Sequence, residues 1–388
     1  MPQQQRDDAP PTAVTDWAVL QPGQPVTLRA ESPLHKGVYA CSVLEASADR
    51  LRVTMPMDQG KLVLVPVGTP VLVEAETANG PLTIQGRVID RQGGSARSLL
   101  LGPLPQPPRY LGRRQPGTPT RTIAITSGKG GVGKTALVVN LAVALSELDQ
   151  RVCIVDGDLG TANVDIILNL APRWNLAHVI TGEKDIYDVL VEGPVGVVIL
   201  PGGSGLQELT ALDDRQFAKL RNQFHRLERY TDILILDTGS GLSRSVTNFI
   251  LAADETLLLT TPEPHAITDA YALLKVLAQY GPQQPLRLVV NRVRDAREAQ
   301  DIARKMLFAS QRFLGVELAF LGHVSEDPAV GNAIRRQQDL LSLAPRSRAA
   351  EDIRRLASAL LEAGGGPPPD AAPRPRSLVQ RLRTLFGR

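Results

Sequence analysis

A glycine-rich segment, SGKGGVGKT at residues 127–135, constrains this chain more than any other feature of its sequence. It follows the short apolar run RTIAIT (121–126) and opens the apolar run TALVVNLAVALSEL (135–148). Glycines let the backbone curl so that its N–H groups converge, and a helix that begins there adds partial positive charge. This order of strand, loop and helix predicts a phosphate-binding loop in a domain of alternating strands and helices.

Each polar residue type in this loop suits a polyphosphate. Lys134 neutralises charge on the β- and γ-phosphates, and the Thr135 hydroxyl is a ligand for Mg²⁺. The spacing therefore predicts binding of ATP and Mg²⁺ and a catalytic role for Lys134. The predicted nucleotide-binding residues of the loop are contiguous: Gly128, Lys129, Gly130, Gly131, Val132, Gly133, Lys134, Thr135 and Ala136.

The chain beyond the loop alternates apolar runs with longer helical patterns. Continuous runs such as DILILD (232–237) and LRLVVN (286–291) are typical of strands buried on both faces of a sheet. Helical segments, including 265–280 and 297–314, lie between or after such runs. The pattern predicts an α/β fold over residues 121–363, with the doubly wound, mostly parallel sheet of a P-loop NTPase.

Polar residues follow several of these predicted strands. Asp156 and Asp158 come after one strand, and Asp237 ends another. Ligands of open α/β sheets bind at the carboxyl ends of the strands, so we expect these carboxylates beside the loop. Asn291 and Arg292 end a further strand, where the amide can pair with an adenine edge, although a turn or a cap also uses such an Asn.

The segment before the ATPase-like region has a different pattern. Residues 18–105 hold six short apolar alternations without a helical period, among them KLVLVPV (61–67). These predict a small antiparallel all-β domain, a barrel or a sandwich, of which we expect the barrel. The polar residues 1–17 predict a flexible tail, and the proline-rich residues 106–120 predict a linker.

Composition excludes several other classes of protein. Hydrophobic residues are 43% and charged residues 21% of 388, which is ordinary for globular proteins. No apolar run reaches the roughly 18 residues of a membrane span, and the polar start is unlike a signal peptide. The two cysteines, Cys41 and Cys153, are too few for a disulfide scaffold, and they form no CxxC motif, which disfavours a metal-cluster carrier or a reductase. We therefore expect a cytoplasmic protein.

The C-terminal segment SLVQRLRTLFGR (377–388) follows a predicted flexible linker, 364–376. On a helix its apolar residues share one face, and Arg381, Arg383 and Arg388 fall on the flanks or the opposite side. An apolar face with a basic rim is typical of helices that bind anionic membranes, while docking on the protein itself or a disordered end are the alternatives. The predicted membrane-contacting residues are Leu378, Val379, Leu382, Leu385 and Phe386.

A second lysine in the loop, Lys129, resembles the signature lysine of the deviant Walker A motif of MinD/ParA ATPases. Residues 121–363 resemble that family over their full length. The resemblance implies an ATP-dependent homodimer in which Lys129 reaches the partner's nucleotide and takes part in catalysis. It also implies that Asp158 positions the attacking water, while Asp156 and Asp237 support the metal ion.

The segment VSEDPAVGNAI (324–334) resembles the last purine-flanking loop of the same family. This resemblance makes Glu326 and Asp327 candidates for nucleotide binding, together with Asn291 and Arg292.

Within that group, DGDLGTANVDIILNL (156–170) and NLAHVITGEKDIYDVL (175–190) are similar to the FlhG (FleN/YlxH) flagellar-number regulators. The resemblance implies a slow ATPase that associates reversibly with the inner face of the membrane and regulates flagellar number, placement or assembly. Its implied partners are the FlhF GTPase or a C-ring component.

Residues 1–17 lack the DQAxxLR motif common in such proteins, and residues 18–104 resemble the barrel that precedes PilZ domains in flagellar-brake proteins.

A ParA-like DNA-partition ATPase is the alternative function. It would need a basic surface on the dimer, and the candidate segments are 226–229, 292–297 and 334–338. Acidic residues interleave with the bases of these segments, so we rank this alternative second.

The linker sequence PRYLGRR places Arg109 and Arg113 at an RxxxR spacing. This spacing resembles the cyclic di-GMP-binding entry of PilZ domains, but the companion DxSxxG motif is absent. The composition favours a solvated basic linker.

Overall fold

The structure, a computed structural model, divides into two compact units at Gln106. Arg109 and Arg113 lie outside the residues that it describes. The described residues are 17–32, 35–48, 50–58, 61–63, 65, 69–77, 80–92, 97–103, 120–157, 164–203, 214–281, 284–364 and 378–386.

In its described part, the first unit is a closed barrel of six strands in the order β1-β2-β3-β8-β7-β6, with antiparallel neighbours. Alternate side chains of these strands fill the interior, which encloses a fully buried Trp17. The barrel predicted from the sequence is therefore present. The strands of this unit are β1 (Pro25–Ser32), β2 (His35–Ala46), β3 (Leu51–Thr54), β4 (Met57–Asp58), β5 (Lys61–Leu62), β6 (Pro70–Thr77), β7 (Gly80–Gln92) and β8 (Ser98–Pro103).

One predicted barrel strand is placed differently. In the run 61–67, the described strand is only Lys61–Leu62, which pairs with Met57–Asp58 outside the barrel. The barrel is instead completed by Ser98–Pro103, which pairs with both β3 and β7. An apolar alternation shows that a segment suits a sheet, but not which strand it will pair with.

The second unit is built on a sheet that, in the described residues, has eight strands in the order β11-β12-β10-β13-β9-β14-β15-β16. All neighbours are parallel except β11 and β12, so the predicted doubly wound, mostly parallel sheet is confirmed. The strands are β9 (Arg121–Ser127), β10 (Val152–Gly157), β11 (Val191–Glu192), β12 (Val198–Leu200), β13 (Ile233–Ser240), β14 (Glu255–Thr260), β15 (Leu286–Val293) and β16 (Leu318–Ser325).

Most helices of this unit begin with a polar cap that the sequence supplies. Ser243, Asp295 and Ser347 each accept hydrogen bonds from backbone N–H groups in the first turn that follows. The helices are α1 (Lys134–Glu147), α2 (Val164–Ile167), α3 (Leu176–Thr181), α4 (Ile186–Val189), α5 (Asp214–Glu228), α6 (Arg244–Ala252), α7 (Pro264–Tyr280), α8 (Ala296–Ala309), α9 (Pro328–Arg335), α10 (Leu340–Leu343), α11 (Arg348–Glu362) and α12 (Leu378–Phe386).

The helices cover both faces of the sheet. Helices α1 and α11 pack on one face, and α5, α6, α7, α8 and α12 pack on the other. Each helix between parallel strands returns the chain from one edge of the sheet to the other. We call the edge where the strands end the carboxyl edge and the edge where they begin the amino edge. None of the described helices is long and apolar enough to cross a membrane.

Candidate functional site

The glycine-rich loop joins the end of β9 to the start of α1 at the carboxyl edge. A Cβ atom on Gly128 would lie 2.1 Å from the backbone oxygen of Asp269 in α7, so only glycine fits there. Gly133, which precedes α1, has φ of 91°, in the left-handed region that other residues rarely adopt. These two positions explain why the sequence uses glycine in a loop that must pack tightly and turn sharply.

Lys134 contacts the carboxylate of Asp237, which ends the apolar part of β13. The lysine side chain is 8% exposed and the aspartate side chain is fully buried. Asp156 lies directly opposite Asp237 in the register of β10 and β13 and is 2% exposed. The structure thus brings a buried ammonium group and two buried carboxylates to the base of the loop, as the sequence predicts.

Lys129 points in a different direction from Lys134. Its Nζ lies 3.3 Å from Oε2 of Glu263, and the two side chains are 36% and 52% exposed. Glu263 immediately precedes α7, and its Oε2 also lies 3.3 Å from Nε2 of His265. The two lysines of the loop therefore have different partners, one inside the sheet edge and one at the surface.

The segment after Asp237 bends back over the strand that carries the loop. The hydroxyl of Thr238 donates to the backbone oxygen of Ile125 at 3.1 Å, and the N–H of Gly241 donates to the oxygen of Ser127 at 3.1 Å. Helix α6 begins three residues later. The carboxylate beside Lys134 is therefore joined to α6 by a short, hydrogen-bonded segment.

Asn291 also meets the loop. Its Nδ2 donates to the backbone oxygen of Val132 at 2.7 Å, and its Oδ1 accepts from the N–H of Arg292 at 3.0 Å. Arg292 adopts φ of 56°, which turns the chain sharply at this point. The structure brings this predicted pair of residues to the phosphate loop.

The remaining candidates are placed less directly. Asp327 caps α9 by accepting from the N–H of Ala329 at 2.8 Å, and it also accepts from Ala349 at 3.3 Å. Its carboxylate therefore stabilises the starts of two helices, whereas Glu326 is exposed. Asp158 lies outside the described residues.

Thr135, Asp156 and Asp237 are suited to Mg²⁺. The hydroxyl-bearing residue stands in the first turn of α1, and the two carboxylates end adjacent strands. Oxygen atoms of hydroxyl and carboxylate groups are the ligands that this ion prefers. The buried Lys134 at Asp237 balances part of the acidic charge when the ion is absent.

Sequence reasoning missed Glu263 and the backbone of Asp269. Both follow the apolar run 255–260, so they stand at the same carboxyl edge as the other site residues. Their position after an apolar strand was the signal by which the sequence could have indicated them. The sequence separation of 134 residues between Lys129 and Glu263 hides the contact itself.

The C-terminal helix α12 packs on the second unit. Leu378, Val379 and Leu382 are buried against α5 and α6, and Leu385 is half-buried. The side chain of Phe386 lies outside the described residues. The apolar face predicted to contact a membrane is therefore covered by the protein itself, which is one of the alternatives raised by the sequence.

Arg381 differs from its prediction. It was expected on the rim of the helix, but it is 6% exposed and forms an ion pair with Asp254. Its Nη2 lies 3.2 Å from Oδ2 of Asp254 and 3.4 Å from the hydroxyl of Thr122. The acidic partner, 127 residues away, makes burial of this charge possible.

Other functions receive less support from the geometry. Burial raises the pKa of Cys41 to about 11 and also raises the pKa of Cys153, so both thiols stay protonated at neutral pH. Two basic residues of the candidate DNA-binding segments are paired with acids: Arg226 contacts Asp185, and Arg294 contacts Glu298.

Residues 120–285 match a family model described as an AAA domain, and residues 21–102 match the model of the flagellar protein YcgR. The antiactivator FleN of Pseudomonas aeruginosa is 41% identical over 232 residues, which are 60% of this chain and 83% of FleN. The flagellum site-determining protein YlxH of Helicobacter pylori is 31% identical, over 62% of this chain and 82% of YlxH. The chain belongs to the FleN/YlxH family.

The fold comparison agrees with this assignment. The septum site-determining protein MinD of Pyrococcus horikoshii, solved with Mg-ADP, aligns with a TM-score of 0.50 and 28% identity. The alignment covers 63% of this chain and 98% of that structure. The predicted MinD/ParA-type ATPase and the resemblance of the N-terminal barrel to flagellar-brake proteins are confirmed, and this FleN/YlxH homologue is an ATPase.

Proposed function

We propose that this FleN/YlxH homologue is an ATP-switched regulator of flagellar number, placement or assembly that dimerises with ATP and associates with the membrane. The observation that carries the proposal is that the two lysines of the loop have different surroundings. Lys134 is buried beside Asp237, while Lys129 lies at the surface with Glu263. A lysine at the surface of the carboxyl edge can contact a second copy of the chain.

Hydrolysis in this proposal depends on charge neutralisation and positioning. Lys134 leaves Asp237 for the β- and γ-phosphates, and Lys129 of the facing copy contacts the same phosphates. Asp158 holds the attacking water in line with the γ-phosphate. Mg²⁺, when bound at Thr135 with Asp156 and Asp237 nearby, neutralises further phosphate charge.

The tail contributes a membrane contact that the docked state conceals. With Leu378, Val379 and Leu382 buried, α12 offers little apolar surface to lipid. Helix α12 packs against α6, and α6 follows the segment that leads from Asp237. A shift of this segment on ATP binding would loosen α12, and a dimer would then present two tails, which multiplies weak binding.

The flagellar role is carried over from relatives. FleN is named an antiactivator and YlxH a flagellum site-determining protein. The proposed partner of this chain is a flagellar-assembly protein, such as the FlhF GTPase or a C-ring component, that binds the ATP dimer. Partner binding would set the hydrolysis rate and thereby the lifetime of the membrane-bound state.

Sedimentation with anionic vesicles tests this proposal. The full chain and a form ending at Gly366 would be compared with ATP and with ADP, with Asp158→Ala included to slow hydrolysis. Pelleting that needs both ATP and the tail would support the membrane switch. No vesicle binding in any nucleotide state, with salt-sensitive retention on DNA instead, would overturn it in favour of the partition function.

A further inference from the structure

Two phenylalanines, Phe308 and Phe313, project from the surface of the second unit. They are 66% and 69% exposed, the highest values among the exposed large apolar side chains of the described residues. Their rings meet edge to face with centroids 6.4 Å apart. By contrast, Phe217 and Phe224 are buried. Isolated apolar side chains are common on surfaces, but two adjoining exposed aromatic rings indicate a surface that contacts something.

The core of this unit does not use the two rings. Helix α8 packs through a face that ends with Met306, and the π-helical turn Ser310–Leu314 follows it. Leu307 and Leu314, the chain neighbours of the two phenylalanines, pack against the adjoining apolar cluster. Other side chains therefore hold the end of α8 against the core, and the packing of the core does not need the two rings.

The pair lies at the amino edge, as does the docked tail. Helix α8 runs from the carboxyl end of β15 to the amino end of β16, which brings Phe308 to the amino edge. Arg381 of the tail contacts Asp254, directly before β14, at the same edge. Both helices cover the same face of the sheet. A flat surface that approaches this edge can meet both.

The charge around the rings suits an anionic surface. Three basic residues of this segment, Arg304, Lys305 and Arg312, are exposed. The exposed acids Asp301 and Glu317 flank them, so residues 301–317 carry a net charge of +1. Arg304 forms a surface ion pair with Asp301, in which both side chains are more than half exposed, so it is weakly held. Aromatic rings with basic neighbours prefer the boundary between lipid headgroups and acyl chains.

We propose that Phe308 and Phe313 form a second membrane contact that inserts into anionic lipid beside the tail. This inference rests on the membrane association proposed above. Because the rings are exposed while α12 is docked, they make contact with the membrane before the tail is released. The released tail then adds a second membrane contact, which strengthens binding in the orientation that the two rings have set.

The test replaces both rings in the full chain, Phe308→Ser with Phe313→Ser, in the Asp158→Ala background with ATP. Vesicles of phosphatidylglycerol and of phosphatidylcholine would be compared by sedimentation. We expect binding to phosphatidylglycerol vesicles to weaken about tenfold. The matched control is Val38→Ser with Leu44→Ser, which removes two exposed apolar side chains from the first unit and should leave binding unchanged.

A second measurement locates the contact. With brominated lipid in anionic vesicles, Phe308→Trp should lose more fluorescence than the parent, whose own tryptophans, Trp17 and Trp174, give the background signal. Unchanged vesicle binding of the double serine variant, with tail-dependent binding of the parent intact, would overturn the inference alone and point to a protein partner for the rings. Absence of vesicle binding by the parent in every state would overturn the proposed membrane association as well.

Discussion

At each edge of the sheet a buried cation meets a carboxylate, but the surroundings of the two pairs differ. At the carboxyl edge Lys134 contacts Asp237, and Asp156 lies beside them. At the amino edge Arg381 contacts Asp254, and the cation belongs to a separate helix held by three buried apolar side chains. In the proposed cycle the lysine changes partner when phosphate binds, whereas the arginine leaves Asp254 only when its whole helix moves.

This contrast shows what a buried ion pair does in each place. Where both partners are buried, as at the carboxyl edge, removing one costs about 3–5 kcal/mol because the other charge stays buried. In the proposed cycle a polyphosphate supplies Lys134 with a new partner. Asp254 at the amino edge is 23% exposed, so water already screens that pair, and docking of α12 depends on how well the rest of the helix fits.

The largest expected effect is at the carboxyl edge. Lys134→Ala removes the cation that faces both the carboxylates and the transferred phosphate, and we expect ATP hydrolysis to fall at least about 100-fold. Steady-state phosphate release measures this. Lys184→Ala is the control, since that ammonium lies over the ring of Trp174 at 4.3 Å. A Lys134→Ala rate within tenfold of the parent would contradict the assigned role.

The surface lysine of the same loop should behave differently. Lys129→Ala should keep nucleotide binding but lose ATP-dependent dimerisation, since the side-chain partner of Lys129 among the described residues is the half-exposed Glu263. Sedimentation velocity measures the dimer, and fluorescent ADP measures binding. Glu263→Gln removes the contact but leaves the lysine, and should dimerise at least as well as the parent. Equal loss in both variants would mean that the contact, not the lysine, matters.

A smaller effect is expected at the amino edge. Arg381→Ala removes the ion pair with Asp254 and should increase amide hydrogen exchange of residues 378–386 about tenfold in the ADP state. Arg383→Ala makes the same change of charge at an exposed position of the same helix and should have little effect. If both variants exchange equally fast, the pair does not hold the helix.

The smallest effect concerns the thiols, which belong to neither edge. Burial raises the pKa of Cys41 to about 11, and it raises the pKa of Cys153, so the thiolate is scarce below pH 9 in the folded protein. We expect almost no reaction with a thiol reagent between pH 7 and 9, and full reaction after unfolding. Rapid reaction of the native protein would contradict the described burial.

The loop was predictable because its residues are contiguous and each has a stated chemical task. The carboxylates at 156 and 237 were predictable from their positions after apolar strands, and the register of β10 and β13 brings them together. The contact of Lys129 with Glu263 was not, because it joins distant parts of the chain. Local patterns report chemistry and periodicity, but long-range pairing depends on the assembled sheet.

The same reason explains the errors elsewhere. The sequence analysis names no strand at Leu318–Ser325. This strand has mostly half-buried side chains, as an edge strand does, and its sequence lacks the continuous apolar run of the central strands. The helical face of the tail was predicted well, but the burial of Arg381 was not. Without a known partner, a charged side chain of an amphipathic helix is expected on the exposed rim of that helix. The ion pair with Asp254 is what allows Arg381 to be buried.

The contacts of Asp254 also predict which residues homologues keep at this position. Its Oδ2 accepts from the N–H of Thr122 at 2.9 Å as well as from Arg381, so one side chain joins the strand that leads into the phosphate loop to the end of the chain. Homologues that keep a basic residue at this point of the tail should keep the acid. A homologue without the tail needs at this position only a residue that still accepts from Thr122.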